Sequence, residues 1–149
     1  MKPEHAQQDP PPVRFGVIGA GWFASRRHIP DITRHPGAVV AALCRRDTDA
    51  LARVRDEVAP GAALYSDWRR MLAEADLDAV VVATPHHLHF EQVLAALEHG
   101  LHVIAEKPLT VRAADALHLA RTARERGLHL SVALNPPHWA HCHRMRDAI

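Results

Sequence analysis

The sequence predicts an α/β protein built on a doubly wound parallel sheet, and three observations predict it. A short apolar run, Phe15, Val17 and Ile18, leads directly into Gly19-Ala20-Gly21-Trp22-Phe23-Ala24. Strand-like and helix-like segments then alternate along the chain, the pattern of parallel strands joined by right-handed crossovers. The clearest strand, Asp78-Ala79-Val80-Val81-Val82-Ala83, is a continuous β-branched run of the kind a parallel sheet buries on both faces. The expected strand order is 3-2-1-4-5-6, with a ligand over the carboxyl ends of the strands near the switch point.

The elements follow in order. Residues 1–12, MKPEHAQQDPPP, have no apolar segment of signal-peptide type and read as a disordered tail of a cytoplasmic protein. The first strand ends in G-x-G-x-x-A, the fingerprint of a dinucleotide-binding βαβ unit. Gly19 permits the tight turn, Gly21 lets a pyrophosphate approach the backbone, and Ala24 lets the helix pack closely on the sheet. Trp22 and Phe23 occupy the variable positions, where free N–H groups face phosphates. A helix runs from there to about His35, limited or bent by Pro30.

Val39-Val40-Ala41-Ala42-Leu43 is the second strand. Asp47 caps a helix bearing Leu51, Val54 and Val58, closed by Pro60-Gly61. Ala63-Leu64-Tyr65 is a brief third strand, and Ser66 or Asp67 starts a short helix through Met71 and Leu72. After the fourth strand come Thr84-Pro85 and a helix with Phe90, Val93, Leu94 and Leu97 at i, i+3, i+4 and i+7, ending at Gly100. His102 to Ala105 is the fifth strand. Thr110 caps a helix through Val111, Ala114, Leu117 and Ala120, stopped by Gly127, and Leu128 to Leu134 is the sixth strand. Residues 13–135 thus form one dinucleotide-binding domain, and 136–149 begin a linker or helix beyond it.

Composition excludes several other classes. The chain has 149 residues, one domain's worth, with 48% hydrophobic and 23% charged residues. A net charge of +1 gives no reason to expect nucleic acid. No apolar run approaches the ~18 residues of a membrane span. Cys44 and Cys142 are too few and too far apart for a disulfide framework. Among 18 Lys and Arg residues only Lys2 and Lys107 are lysine. Thirteen histidines are scattered along the chain. His138-x-x-His141-Cys142-His143 gathers ligand-type residues for which zinc or copper is the competing reading, but without a CxxC or HExxH pattern we expect no metal site.

Three motifs, GVIGAGWFA at the first strand, ATPHHLH after the fourth and HVIAEKPLT around the fifth, carry a resemblance to the glucose–fructose oxidoreductase/inositol dehydrogenase (Gfo/Idh/MocA) family from about Arg14 to Ile149. The resemblance implies a Rossmann-type domain in which Thr84, Pro85, His86 and His89 line the cofactor's ribose and nicotinamide side. It implies that Glu106 and Lys107 stand near the nicotinamide, that Lys107 assists proton transfer, and that Lys107-Pro108 is a cis bond. His87 is expected to point to solvent. The implied reaction is hydride transfer between a nicotinamide cofactor and a hydroxyl-bearing carbon of a sugar, cyclitol or similar small molecule.

Lys107 is also readable from chemistry. A hydride leaving a carbinol carbon requires the hydroxyl proton to leave too, and arginine cannot take that role. This chain uses arginine almost everywhere else, yet has lysine here. A structural lysine after a strand is the other reading.

Two departures matter. Relatives that prefer NAD end the second strand with an acid, as in C-D-R-D, whereas this chain reads Cys44-Arg45-Arg46-Asp47. Arg45, with Arg46 beside it, suits a 2′-phosphate, so NADP(H) is the expected cofactor and NAD(H) the alternative; a solvated loop arginine is the competing reading. Relatives also show Asn-x-Arg after the sixth strand, where this chain has Asn135-Pro136-Pro137-His138-Trp139.

Family members continue into a second α/β domain that supplies the substrate pocket and a further catalytic His or Asp. The expectation is therefore a cofactor half without its substrate domain. It is either part of an oxidoreductase or, alternatively, a non-catalytic dinucleotide-binding module or truncated product completed by another chain. An apolar surface there would favour a homo-oligomer or a partner chain.

Overall fold

The computed structural model describes residues 10–134 and 140–148. The expected tail largely falls on residues 1–9, and Asn135 to Trp139 likewise lie outside the described residues. Six parallel strands form one sheet in the order β3-β2-β1-β4-β5-β6, as expected. They are β1 (Val13–Ile18), β2 (Ala38–Cys44), β3 (Ala63–Tyr65), β4 (Ala79–Val82), β5 (His102–Glu106) and β6 (Leu130–Ala133).

The order reverses between β1 and β4, whose neighbouring registers, Phe15 with Ala79 through Ile18 with Val82, bring their carboxyl ends level. Every residue of β4 is buried. Covering each of its three valines contributes roughly 1.5–3 kcal/mol, so this run anchors the sheet's centre.

Helices α1 (Trp22–Arg26), α2 (His28–Arg34) and α3 (Thr48–Val58) cover one face, packing Ala24, Ile29 and Leu51 on Val17, Leu43 and Val81. Helices α4 (Trp68–Glu74), α5 (His89–Glu98) and α6 (Ala113–Glu125) cover the other, packing Met71, Val93, Leu97 and Leu119 on Ile18, Val80 and Val103. A last helix, α7 (Ala140–Asp147), follows the undescribed stretch.

Local signals act largely as read. Asp47 caps α3 by accepting from the Ala50 N–H at 2.9 Å, and Asp67 caps α4 by accepting from Arg69 N–H at 2.9 Å. Two expectations need correction. The first crossover is two helices, and the break falls at Arg27 (φ −125°, ψ −78°) rather than at Pro30. Pro30 sits in the first turn of α2, where its missing N–H leaves no bond unmade.

Thr110 does not cap the last crossover helix: α6 begins at Ala113, and the Thr110 hydroxyl donates to the Arg112 carbonyl at 2.7 Å. With that later start, the face carrying Leu119 and Ala123 packs towards α5 and β6, while Val111 and Leu117 stay 68% and 59% exposed. No helix among the described residues is long and apolar enough to cross a membrane.

Candidate functional site

Two glycines shape the turn out of β1, for different reasons. Gly19 adopts φ +91°, and a Cβ there would lie 2.6 Å from the Ala83 carbonyl oxygen and 2.8 Å from Thr84 Cγ2. Only glycine fits so close to the end of β4. Gly21 has an ordinary extended backbone (φ −93°, ψ −164°), and the nearest atom to a Cβ would be Gly19 O at 3.9 Å. What Gly21 supplies is open space in front of the backbone. The loop is fixed from beneath, with Gly19 N–H and Ala20 N–H both donating to the Cys44 carbonyl, at 3.0 and 3.1 Å. Ala24 is 1% exposed, so α1 sits close on the sheet.

Around this turn lies a cleft of about 460 Å³ at the switch point. It is lined by Gly19 and Gly21, by Arg45 and Arg46 after β2, by Ser66 and Trp68 after β3, and by Thr84, Pro85, His87 and Leu88 after β4. Among the described residues the guanidinium of Arg45 pairs with one acid, Asp47, at 3.9 Å. Cys44 lines the floor, and burial, with a smaller effect from the Asp67 carboxylate, pushes its thiol up to about 11. It is a neutral, packed group there and no nucleophile near neutral pH. The Thr84 hydroxyl donates to Gln92 Oε1 at 2.5 Å. Gln92 is 2% exposed and, with His89, is one of two polar residues among the buried residues of α5.

The residues around β4 need correction. His89 does not line the cleft: it is fully buried, with Nε2 2.8 Å from the Thr84 carbonyl and Nδ1 2.9 Å from the Pro108 carbonyl. As the first residue of α5 it points into the protein, and any effect on a ligand passes through those carbonyls. His86 is exposed, its ring edge-on to His89 at 5.7 Å and outside the cleft lining. His87 is exposed, as expected, and of the three histidines it is the one that borders the open cleft. A 3₁₀ turn over His86–Leu88 rotates this segment before α5 begins, which helical spacing alone does not reveal.

Glu106, Lys107 and Pro108 stand at the end of the neighbouring strand, and Lys107-Pro108 is cis, as the resemblance implied. Glu106 is half-buried and accepts from His28 Nε2 at 2.8 Å. Phe23 packs edge-on against His28, with ring centroids 5.6 Å apart. Trp22, 68% exposed, carries the Arg26 guanidinium over its ring at 4.8 Å. Lys107 is exposed and joins no ion pair among the described residues. Arg45 and Arg46 follow β2 and Lys107 follows β5, so the two cationic positions flank the β1–β4 switch from either side.

Sequence reasoning singled out neither His28 nor Gln92, and it read Ser66 as a helix start rather than as part of the cleft lining. Only Gln92 left a signal, as a polar residue on an apolar helical face. No group of three His, Cys, Asp or Glu residues is placed to hold a metal among the described residues. The His138 to His143 cluster falls partly outside them.

A parallel sheet with a glycine-turned first loop, an open backbone edge and two arginines at the switch point defines the class: a Rossmann-type dinucleotide-binding domain. The chain belongs to the Gfo/Idh/MocA family, an oxidoreductase family with an NAD-binding Rossmann fold, whose model matches residues 13–134. It is 37% identical over 139 residues to dTDP-3,4-didehydro-2,6-dideoxy-alpha-D-glucose 3-reductase of Streptomyces antibioticus, covering 93% of this chain and 42% of that protein.

Among solved structures it is similar to a 3-ketoreductase from Actinomadura kijaniata in complex with NADP (36% identity, TM-score 0.84, covering 92% of this chain and 43% of that one). It is also similar to the WlbA dehydrogenase from Bordetella pertussis in complex with NADH and UDP-GlcNAcA (31% identity, TM-score 0.85, covering 93% and 39%). The chain therefore spans about 42% of the length of a curated relative it matches.

Proposed function

We propose that this chain is the NADP(H)-binding part of an oxidoreductase that moves a hydride between the nicotinamide and a hydroxyl- or keto-bearing carbon of a sugar, cyclitol or sugar nucleotide. The observation that carries the reading is the cleft itself: an unobstructed backbone edge at Gly21 lies within the same hollow as Arg45 and Arg46. A dinucleotide's pyrophosphate and a 2′-phosphate call for those two features. NAD(H) remains the alternative ligand, since the arginines add to the grip without being its basis. Cytoplasmic residence belongs to the same reading, and both cysteines are free thiols.

The residues take distinct roles. Gly19 and Gly21 shape the pyrophosphate seat, Trp22 and Phe23 present their N–H groups to it, and Ala24 keeps α1 close. Thr84 and Pro85 form the wall towards the ribose, and Glu106 and Pro108 frame Lys107. The bound cofactor supplies or accepts the hydride at its nicotinamide. Lys107 handles the accompanying proton: its ammonium donates to the oxygen of a carbonyl being reduced, and its neutral amine takes that proton back in the oxidative direction.

The test is a fluorescence titration of NADPH and NADH on wild type and Gly21→Val. Wild type binds and Gly21→Val, folded, does not; equal affinity in both overturns the assignment. A cofactor-oxidation assay against polyols, cyclitols and their ketones separates this reading from a module completed by a partner chain, which the exposed and unopposed Lys107 favours. The chain alone is expected to bind without appreciable turnover, because orienting one reactant leaves most of the catalytic advantage unused. Robust turnover that disappears in Lys107→Ala would show it to be an enzyme by itself.

A further inference from the structure

The turn that carries Lys107 is tethered from two sides by histidines of other elements, and neither histidine lines the cleft. On one side His28, in α2, donates from Nε2 to Glu106 Oε1 at 2.8 Å, with the two side chains only 17% and 12% exposed. The other Glu106 oxygen, Oε2, accepts the Lys107 backbone N–H at 3.2 Å. On the other side the fully buried His89, in α5, stands between the Pro108 carbonyl at 2.9 Å and the Thr84 carbonyl at 2.8 Å. An imidazole with one proton can donate to only one of these carbonyls, whereas the doubly protonated ring donates to both. The residues immediately before and after Lys107 are thus each tied to a histidine, and the two histidines belong to opposite helical layers of the sheet.

Lys107 needs such support. Its side chain is exposed and makes no ion pair among the described residues, so its own contacts do not select one rotamer. A flexible four-carbon stem places its nitrogen only as well as the backbone beneath it is placed. A displacement of about 1 Å at a reacting group can cost ~100-fold in rate. His89 adds a second link, since the Thr84 carbonyl it faces belongs to a residue lining the cleft.

We propose that His28 and His89 are positioning residues for Lys107, fixing the turn after β5 relative to the cofactor cleft. This rests on the reading of Lys107 as the proton carrier. Neither histidine touches a reactant: His28 acts through Glu106, and His89 acts through the Thr84 and Pro108 carbonyls.

The experiment uses the whole chain and the variants His28→Gln, His28→Leu and His89→Gln, each checked for folding by thermal melting. Gln at 28 can still donate an N–H to Glu106, and Leu cannot. One readout needs no cofactor: hydrogen exchange of the Lys107 amide, whose acceptor is the carboxylate His28 holds. Exchange is expected to accelerate in His28→Leu and to stay at the wild-type rate in His28→Gln.

The second readout is limiting reductive methylation, scored by mass spectrometry as Lys107 relative to Lys2, with and without saturating NADPH. The chain's two lysines make Lys2 an internal reference. NADPH should protect Lys107 in wild type and His28→Gln. Gln at 89 can replace Nε2 at the Thr84 carbonyl but has no donor where Nδ1 faces the Pro108 carbonyl. Protection should therefore be lost in His28→Leu and His89→Gln while NADPH affinity, set by the untouched glycine loop, is retained. Wild-type exchange and full protection in a folded His28→Leu overturn the proposal even if His89→Gln fails to fold. Absence of NADPH binding in wild type would instead sink the functional reading, while the amide-exchange comparison still decides whether His28 holds the turn.

Discussion

The turns after β1 and after β5 stand at the same end of the same sheet and are held by different means. After β1 the restraints are backbone on backbone: two N–H groups on the Cys44 carbonyl, Gly21 N–H on Gly19 O at 2.7 Å, and a glycine wedged against Ala83. After β5 they are side chains from other elements, His28 on Glu106 and His89 on Pro108. A seat for phosphate must offer bare N–H groups, so side chains would obstruct it. A seat for a proton carrier needs one side chain held in place, and neighbouring side chains can do that without covering it.

The largest expected effect breaks the first turn. Gly19→Val forces a β-branched residue to φ +91° and puts its Cβ 2.6 Å from a backbone oxygen at the end of β4. The conformational penalty alone is roughly 1–2 kcal/mol, and the clash with backbone adds to it, for a total of about 3–5 kcal/mol. That is a large fraction of a typical domain's stability, and a drop in melting temperature of about 10 °C or more is expected by thermal scan. Gly21→Val, two residues on, should melt like wild type and fail only in binding. If both variants melt normally, the wedge at Gly19 is not a restraint.

That contrast also explains what was legible beforehand. A turn held by backbone leaves its mark at fixed spacing, because only glycine fits at position 19, and the fingerprint could be read directly. The strands were equally plain, since a run such as Val80 to Val82 has few other uses. The partners of the second turn lie 78 and 19 positions away in the chain, among thirteen histidines with no spacing rule to single them out. The sequence marks His89 for contact with ligand rather than for burial, because a helical wheel does not show the 3₁₀ turn that precedes α5. Thr110 looked like a cap by type, and only the chain's path put the helix start at Ala113.

The turn after β2 is an intermediate case, where backbone and charge combine. Its carbonyl at Cys44 holds the glycine loop, and its side chains, Arg45 and Arg46, face the cleft. Arg45→Asp should lower NADPH affinity by roughly one to two decades, the equivalent of a charge-assisted contact of about 1.5–3 kcal/mol. NADH affinity should change little, so the preference narrows or inverts in parallel titrations. Tighter binding of NADH than NADPH by wild type would remove Arg45 from the specificity argument.

The smallest effect separates the two duties of Asp47. Its Oδ1 caps α3 through Ala50 N–H at 2.9 Å, and its Oδ2 lies 3.9 Å from Arg45 Nη2. The pair is well exposed on both sides, 36% and 56%, so solvent screens it. Its worth is at most about 1 kcal/mol. Asn caps as well as Asp does, whereas Ala forfeits roughly 1 kcal/mol. Asp47→Asn should therefore melt like wild type, and Asp47→Ala should melt a few degrees lower. For NADPH the two should agree, each binding about two- to fivefold more tightly because the arginine no longer shares its charge with a carboxylate. A weaker NADPH complex in Asp47→Asn would reverse the assignment: the carboxylate would then be holding Arg45 over the cleft, and this turn would belong with the one after β5, as a side chain placed by another side chain.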